Sequence, residues 1–288
     1  MKSINDLVGI GLKSTHFNDI ILLKPDIGWF EIHSENYFYH GEPSFKYLMQ
    51  IKENYPISLH GVGLSLGGPG PLDRHHLQNI MKLIQTINPF LISEHLSWSR
   101  INDIYLPDLL PVSYTKKAQE IFINNITSAQ DYLQTQLLIE NPSSYFEYAD
   151  SAISEVEFLV EVAQRSGAKI LLDINNIHVS SINHSWDSYR YIDFIPKSLV
   201  GEFHLAGHST KVIDTNNIHK VLKIDTHDRC VSEDVWKLYD YAINKFGPHP
   251  TLIEWDVDIP PLETLLLEVN KAKLYLNKYV LPATHVVA

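Results

Sequence analysis

The stretch Lys169-Ile-Leu-Leu-Asp-Ile-Asn-Asn-Ile-His178 decides how the rest of the chain is read. Ile170, Leu171 and Leu172 form the short apolar run expected of a parallel strand buried on both faces. The run stops at a carboxylate and two amides, which a buried strand cannot carry without partners. An apolar strand ending in a polar cluster is how α/β folds build sites at the C-terminal edge of a sheet. The same pattern recurs along the chain.

Outward from that stretch, apolar runs alternate with helical periodicity. Strands are expected at Leu7–Leu12, Gly28–His33, Ile57–His60, Phe90–His95, Gln136–Glu140, Lys169–Asp173, Leu199–His204 and Thr251–Glu254. Helical spacing is expected near 44–54, 74–87, 115–133, 153–166 and 233–245, and from Pro260-Pro261 to about Tyr275. Asp73 and Thr115 are candidate N-caps, and Gly167 suits a helix end. The segment with Pro107 and Pro111 reads as a loop, and Val221–His227 as an extended piece within a long loop. Eight strand–helix units over residues 1–288, with no break in composition, point to a single (β/α)8 barrel domain. A doubly wound sheet is the alternative, but the Gly-rich turn or P-loop that often marks it is absent.

The balance of charge narrows the function. Net charge is -11 and no dense Lys/Arg block stands out, which argues against a general nucleic-acid binder. The start, Met1 to Leu12, lacks the pattern of a signal peptide, and no apolar run approaches membrane-spanning length, so a cytoplasmic protein is expected. One cysteine, Cys230, excludes an internal disulfide and a Cys-rich cluster, and an inert role is expected for it. Fifteen histidines favour hard or borderline metals over soft ones.

At the ends of the third to eighth strands stand His60, His95, Glu140, Asp173, His204 and Glu254. In a barrel these ends converge on one face, where three imidazoles and three carboxylates need partners. Divalent cations supply them. Asn176, Asp225 and His227 raise the donors to nine, too many for one ion, and Glu140 or Asp225 could bridge two. The blander readings are specific. Asp225 and Asp228 could cap a turn, His75-His76 suit a solvated helix face, Gly61, Gly63, Gly67 and Gly68 suit loop flexibility, and Trp98 and Trp255 suit packing or a pocket wall.

Phe30-Glu-Ile-His-Ser-Glu-Asn-Tyr37, Ser58-Leu-His-Gly-Val-Gly-Leu-Ser65, Ser93-Glu-His-Leu-Ser-Trp98, Asp108-Leu-Leu-Pro111 and Ile139-Glu-Asn-Pro-Ser-Ser-Tyr145 resemble motifs of one family. So do Leu172-Asp-Ile-Asn-Asn176, Gly201-Glu-Phe-His-Leu-Ala-Gly-His208, Ile224-Asp-Thr-His-Asp228 and Leu252-Ile-Glu-Trp-Asp256. The family is DUF692, also called UPF0276, whose characterised members are multinuclear non-haem iron-dependent oxidative enzymes, the methanobactin-biosynthesis oxidase among them. The resemblance runs from about Val8 to Leu276.

It implies a (β/α)8 barrel of the xylose-isomerase type holding two or three iron ions, mixed Fe(II)/Fe(III), with zinc or manganese as possible substitutes. The ligands it implies are His60, His95, Glu140, Asp173, Asn176, His204, Asp225, His227 and Glu254. At Asn176 the family pattern has histidine or asparagine, and asparagine is the weaker donor. The resemblance further implies oxidation by O2 of cysteine residues in a ribosomally made precursor peptide, presented by a separate partner protein. A cysteine thiolate would bind iron and lose hydrogen from its β-carbon, and no separate protein base is assigned. Glu31, His33, Glu35 and Asn36 are expected to line the peptide channel, and Trp98, Asn141, Asn175 and His208 to support the site. The rival is a redox-neutral Zn, Mn or Mg barrel, xylose-isomerase-like or endonuclease-IV-like, acting on a sugar or phosphoester. An isomerase would need a further lysine or histidine, and no lysine stands at these strand ends. A third class, a metal-dependent scaffold or sensor, would need no open coordination position.

Overall fold

The computed structural model describes residues 4–39, 41–101, 104–215 and 218–279. In chain order the strands are β1 (Val8–Gly11), β2 (Trp29–His33), β3 (Ile57–Gly61), β4 (Ile92–His95), β5 (Trp98–Ile101) and β6 (Ile104–Leu110). They continue with β7 (Leu138–Glu140), β8 (Lys169–Asp173), β9 (Val200–Ala206), β10 (Ser209–Thr215), β11 (Ile218–Ile224) and β12 (Thr251–Glu254). Eight of them close a parallel barrel in the order β1-β12-β9-β8-β7-β4-β3-β2. The expected (β/α)8 architecture is the one observed.

Helices pack around it: α1 (Phe17–Leu23), α2 (Pro43–Lys52), α3 (Arg74–Ile87), α4 (Lys116–Leu133), α5 (Glu155–Ser166), α6 (Ile174–His184), α7 (Ser188–Phe194), α8 (Glu233–Phe246) and α9 (Leu262–Asn277). Each turns an apolar stripe inward; in α3, Leu77, Ile80, Leu83 and Ile87 are buried at spacings of three and four. Asp73 caps α3 and Thr115 caps α4, both through side-chain oxygens. Gly167 ends α5 with a left-handed φ of 75°. Among the described residues no helix is long and apolar enough to cross a membrane.

Three features differ from the sequence reading. First, the polar stretch after Asp173 is the first turn of α6, a helix absent from the expected set. Asp173 Oδ1 accepts from the Asn176 backbone N–H at 2.6 Å, so one carboxylate both ends a strand and caps a helix. Second, α1 has only seven residues, too few to display a period, and Leu22 and Leu23 are exposed. Third, β5–β6 and β10–β11 are antiparallel hairpins where loops were expected. Their strands carry exposed Ile104, Tyr105, Val212 and Val221, so pairing rests on the backbone rather than on a buried stripe.

Candidate metal centre

Parallel register aligns the donors before any side chain is considered. His33 pairs with His60, His95 with Glu140, and Asp173 with His204. Paired residues project to the same side of the sheet, here the barrel axis. One irregularity matters. Ile170 pairs with Val200 but Leu171 with Glu202, so Gly201 is an extra residue in β9. Because side chains alternate with period two, that one-residue shift sets which residues of β9 face inward.

The first donor group is carried by strands alone. His60 Nε2 and His95 Nε2 lie 3.3 Å apart, and Glu140 Oε2 is 3.3 Å from one and 3.1 Å from the other. His95 Nδ1 sits 3.0 Å from the Gly61 carbonyl, which only accepts, so Nδ1 holds the proton and Nε2 presents its lone pair. Ser93 Oγ, which donates to the Leu59 carbonyl at 3.4 Å, lies 2.7 Å from His60 Nδ1 and can accept from it. Glu140 Oε2 is buried without a hydrogen-bond partner. These atoms fit a cation: they converge, and nothing else satisfies them.

A second group shares Glu140. Donor atoms of Glu140, Asp173, His204 and Glu254 all lie within 4.8 Å of one another. His204 Nδ1 is 3.1 Å from Glu254 Oε2, and Asp173 Oδ2 is buried without a partner. Asn141 fixes the end of β8, donating to the Asp173 carbonyl at 2.9 Å and accepting from its N–H at 2.8 Å. The Asn176 side chain donates to the Asn141 carbonyl at 3.0 Å and to Glu140 Oε1 at 3.4 Å. That leaves Asn176 Oδ1, the atom that can bind a cation, buried and unpartnered.

The third group rides on the loop after β11. Asp225 Oδ1 is 2.7 Å from His227 Nε2. His227 has a left-handed φ of 47°, held in place from both sides. Its N–H donates to Gly207 O at 3.0 Å, and its carbonyl accepts from Asp256 and Val257. Its Nδ1 is 3.0 Å from Asp256 Oδ2, and Lys13 Nζ grips Asp256 Oδ1 at 2.6 Å. Asp225 is steadied by Asn175 Nδ2 at 2.6 Å, and His208 Nδ1 donates to Asn175 Oδ1 at 2.8 Å.

The protonation pattern follows from these neighbours. Burial pushes His60 and His95 down, toward neutral imidazoles. Burial likewise raises the Glu140 carboxyl well above its ordinary range and Asp173 to about 7, with Asp225 adding to the latter. For His204 burial opposes the charge, but Glu31 and Glu254 override it and raise the ring well above normal. Asp225 and Glu254 do the same for His227. Burial would also raise Glu254, yet His227 and His204 hold it at about 2.

The other expected site residues divide. His33 and Asp256 line the central cavity, about 520 Å³, together with His60, His95, Glu140, Asn176, Asp225, His227 and Glu254. Glu31 lies below, taking the Ser58 hydroxyl at 2.9 Å and facing His204 Nε2 at 3.5 Å. Asn36 lines an adjoining cavity of about 410 Å³ with Lys13, His33 and Asp256. Glu35 is not a channel residue: it accepts from the Val62 and Gly63 N–H groups and meets His76 Nε2 at 3.1 Å. Trp98 sits in the β5–β6 hairpin, donating to Pro111 O at 2.9 Å, and is absent from the cavity lining.

His76 is buried rather than solvated. Gly61 and Gly63 are not flexible loop residues but spacers. A Cβ on Gly61 would come within 2.6 Å of Glu94, and one on Gly63 within 2.8 Å of His76. Sequence reasoning missed Asp256 and Lys13, which brace His227, and Glu202, which lies 3.7 Å from His204. Glu202 and Asp256 lie two residues from His204 and Glu254, a spacing that alternation could have flagged. Lys13 belongs to the first strand end, outside the six that were compared.

A family model described as RiPP precursor modification enzyme MbnB/TglH/ChrH matches residues 7–277. The chain is 48% identical over 276 residues to a UPF0276 protein of Vibrio parahaemolyticus, covering 96% of this chain and 94% of that one. It is 45% identical over 266 residues to a UPF0276 protein of Psychromonas ingrahamii, covering 92% of each. Among solved structures it is similar to a D-psicose 3-epimerase (TM-score 0.57, 12% identity, 94% of this chain and 97% of that one). It is similar also to endonuclease IV from Thermus thermophilus (TM-score 0.57, 14% identity, 93% and 98%). At such identities the likeness speaks for the fold alone, a xylose-isomerase-like barrel. By sequence, the chain belongs to the MbnB/TglH/ChrH family of RiPP precursor modification enzymes, the UPF0276 proteins.

Proposed function

We propose that this enzyme is a multinuclear non-haem iron oxidase that uses O2 to modify cysteine residues of a ribosomally made peptide. The observation that carries the reading is the convergence on Glu140, whose carboxylate is shared between a pair of imidazole nitrogens and a set of buried acids. Imidazole and carboxylate donors without thiolate suit iron, with zinc or manganese as substitutes. His60, His95 and Glu140 would hold one ion, and Glu140, Asp173, His204 and Glu254 a second. Asn176, Asp225 and His227 would hold a third or complete the second. Two or three irons, mixed Fe(II)/Fe(III), would supply electrons to O2 and a Lewis-acid seat favouring the substrate thiolate.

The chain's own residues do the rest. Ser93, Gly61 and Asp256 aim the rings of His60, His95 and His227 by holding the nitrogen opposite the cavity. Leu109, Leu110, Pro111 and Phe146 give the mouth an apolar wall, which excludes water from one side of the cavity. His33 and Asp256 give the opposite side its polar character. A volume near 520 Å³ with an open mouth suits a side chain and its flanking backbone, delivered by a partner protein.

Anaerobic metal analysis and O2 uptake test the reading together. At least two equivalents of iron, and uptake that requires a Cys-bearing peptide encoded beside the gene, are expected. Zinc alone with full turnover of a sugar or phosphoester would establish the redox-neutral rival instead. Lys13, just past the end of β1, is engaged with Asp256 at 2.6 Å.

A further inference from the structure

A second cavity, about 940 Å³, adjoins the central one and shares Pro111, Ser144 and Phe146 with it. That common wall is fixed. Pro111 O accepts from Trp98 Nε1 at 2.9 Å, and the Ser144 N–H donates to Ser180 Oγ at 2.9 Å. Beyond the wall the groove is aromatic. Tyr114, Tyr148, Trp186, Tyr191 and Phe194 line it with Phe146, and Phe146 and Phe194 are 54% and 49% exposed. It also holds Glu155, half-buried at the start of α5, whose oxygens accept from the Tyr114 and Tyr191 hydroxyls at 3.0 Å each. Burial raises this carboxyl to about 7, and the neighbouring Glu147, exposed in the same groove, adds to the rise. Arg190 in the lining lies 3.7 Å from Asp187, and no lysine stands among the described lining residues. Two carboxylates therefore share an aromatic groove with no cation of the described lining committed to them.

We propose that this groove seats the part of the substrate peptide next to the modified cysteine, an extended segment carrying an apolar or aromatic side chain and a lysine or arginine. The cation is taken by Glu155 and Glu147, and the apolar side chain covers Phe146 and Phe194. An ammonium or guanidinium makes a charge-assisted hydrogen bond with a carboxylate, and aromatic faces attract the same cation. Covering exposed aromatic surface adds a favourable apolar contribution. An acidic segment would meet like charge in this groove and be rejected. The shared wall lets one chain run from the metal cavity into the groove without leaving the protein surface. The proposal rests on the reading that a Cys-bearing peptide reaches the metal cavity.

Selection from a displayed library of short random peptides on the iron-loaded chain, held without oxygen, tests it. Bound peptides are expected to contain cysteine, with a lysine or arginine and an apolar or aromatic residue on one side of it. The affinity of an enriched peptide, measured by fluorescence anisotropy, should fall about tenfold when its cation is changed to glutamate. Glu147→Lys, a change at an exposed position, should weaken the original peptide and restore the glutamate-bearing one. Enrichment of cysteine with no basic neighbour overturns this proposal alone, and so does a basic preference that Glu147→Lys leaves unchanged. Enrichment of basic, aromatic peptides that lack cysteine assigns the groove to another occupant, such as the presenting protein, and overturns it too. If cysteine is not enriched at all, the peptide reading fails and takes this proposal with it.

Discussion

The two flanks of the barrel mouth reach similar chemistry by different means. On one flank, His60, His95 and Glu140 stand on β3, β4 and β7, and register alone brings them together. On the other, Asp225 and His227 stand on a loop that follows a hairpin. They are held by a left-handed backbone and a relay of side chains from Lys13, Asp256, Asn175 and His208. The charges differ as well. Burial dominates at His60 and His95 and favours neutral imidazoles, whereas carboxylates dominate at His227, as they do at His204 on β9, and favour the charged ring. A donor on a strand inherits its position from the sheet; a donor on a loop needs its position built by neighbours.

The largest effect should come where the two donor groups meet. Glu140→Ala removes the carboxylate shared by both, and metal analysis of the reconstituted chain should show more than one equivalent lost. His95→Ala should lose one equivalent, confined to the strand flank. Unchanged stoichiometry in either variant would break the assignment of that flank.

A half-buried carboxylate away from the mouth isolates the effect of desolvation. Glu155, between the hydroxyls of Tyr114 and Tyr191, is raised by burial to about 7. Its folded-state value lies above the ordinary 4.5, so the folded chain holds the proton more tightly. That contribution is fully present below about pH 4.5 and is lost as pH rises through about 7. Glu155→Gln should therefore flatten the pH dependence, and above pH 7 it should be more stable than wild type by up to about 3 kcal/mol. Denaturant midpoints at pH 5 and pH 8 measure this, and parallel pH profiles would show that Glu155 ionises freely.

On the loop flank, Asn175→Ala removes the hydrogen bond that steadies Asp225 and its link to His208, without replacing a proposed ligand. Affinity for the ion at Asp225 and His227 should fall 10–100-fold, about 1.4–2.7 kcal/mol, while the strand flank keeps its ion. Equal loss on both flanks would erase the distinction. The smallest effect is Gly61→Ala, whose methyl meets Glu94 and should cost about 1 kcal/mol in denaturant unfolding through overpacking.

The strand flank was legible in the sequence because a buried parallel strand announces its own end. His60, His95, Glu140, Asp173, His204 and Glu254 each follow an apolar run, and the structure gathers all six at the mouth. On the loop flank Asp225 and His227 were legible only as further donors near an extended piece, Val221–His227, within a long loop, with a turn cap as the blander reading of Asp225. Of its supports, Asn175 and His208 were expected from the resemblance, but Lys13 and Asp256 were not. Lys13 and Asp256 are 243 positions apart in the chain, and no local pattern reports a contact made by closing a barrel.

The sequence by itself determined the alternation of buried strands and amphipathic helices, and with it the barrel and the residues that meet at its mouth. The cause is local, because burial period and strand length are written into consecutive residues. Only the tertiary structure decided that Asp173 caps a helix, that Gly201 shifts the phase of β9 under Glu202 and His204, and that Glu35 turns from the cavity to grip the loop after β3. Those outcomes depend on which backbone groups are left unpaired once the barrel closes, and closure joins residues that no local window contains.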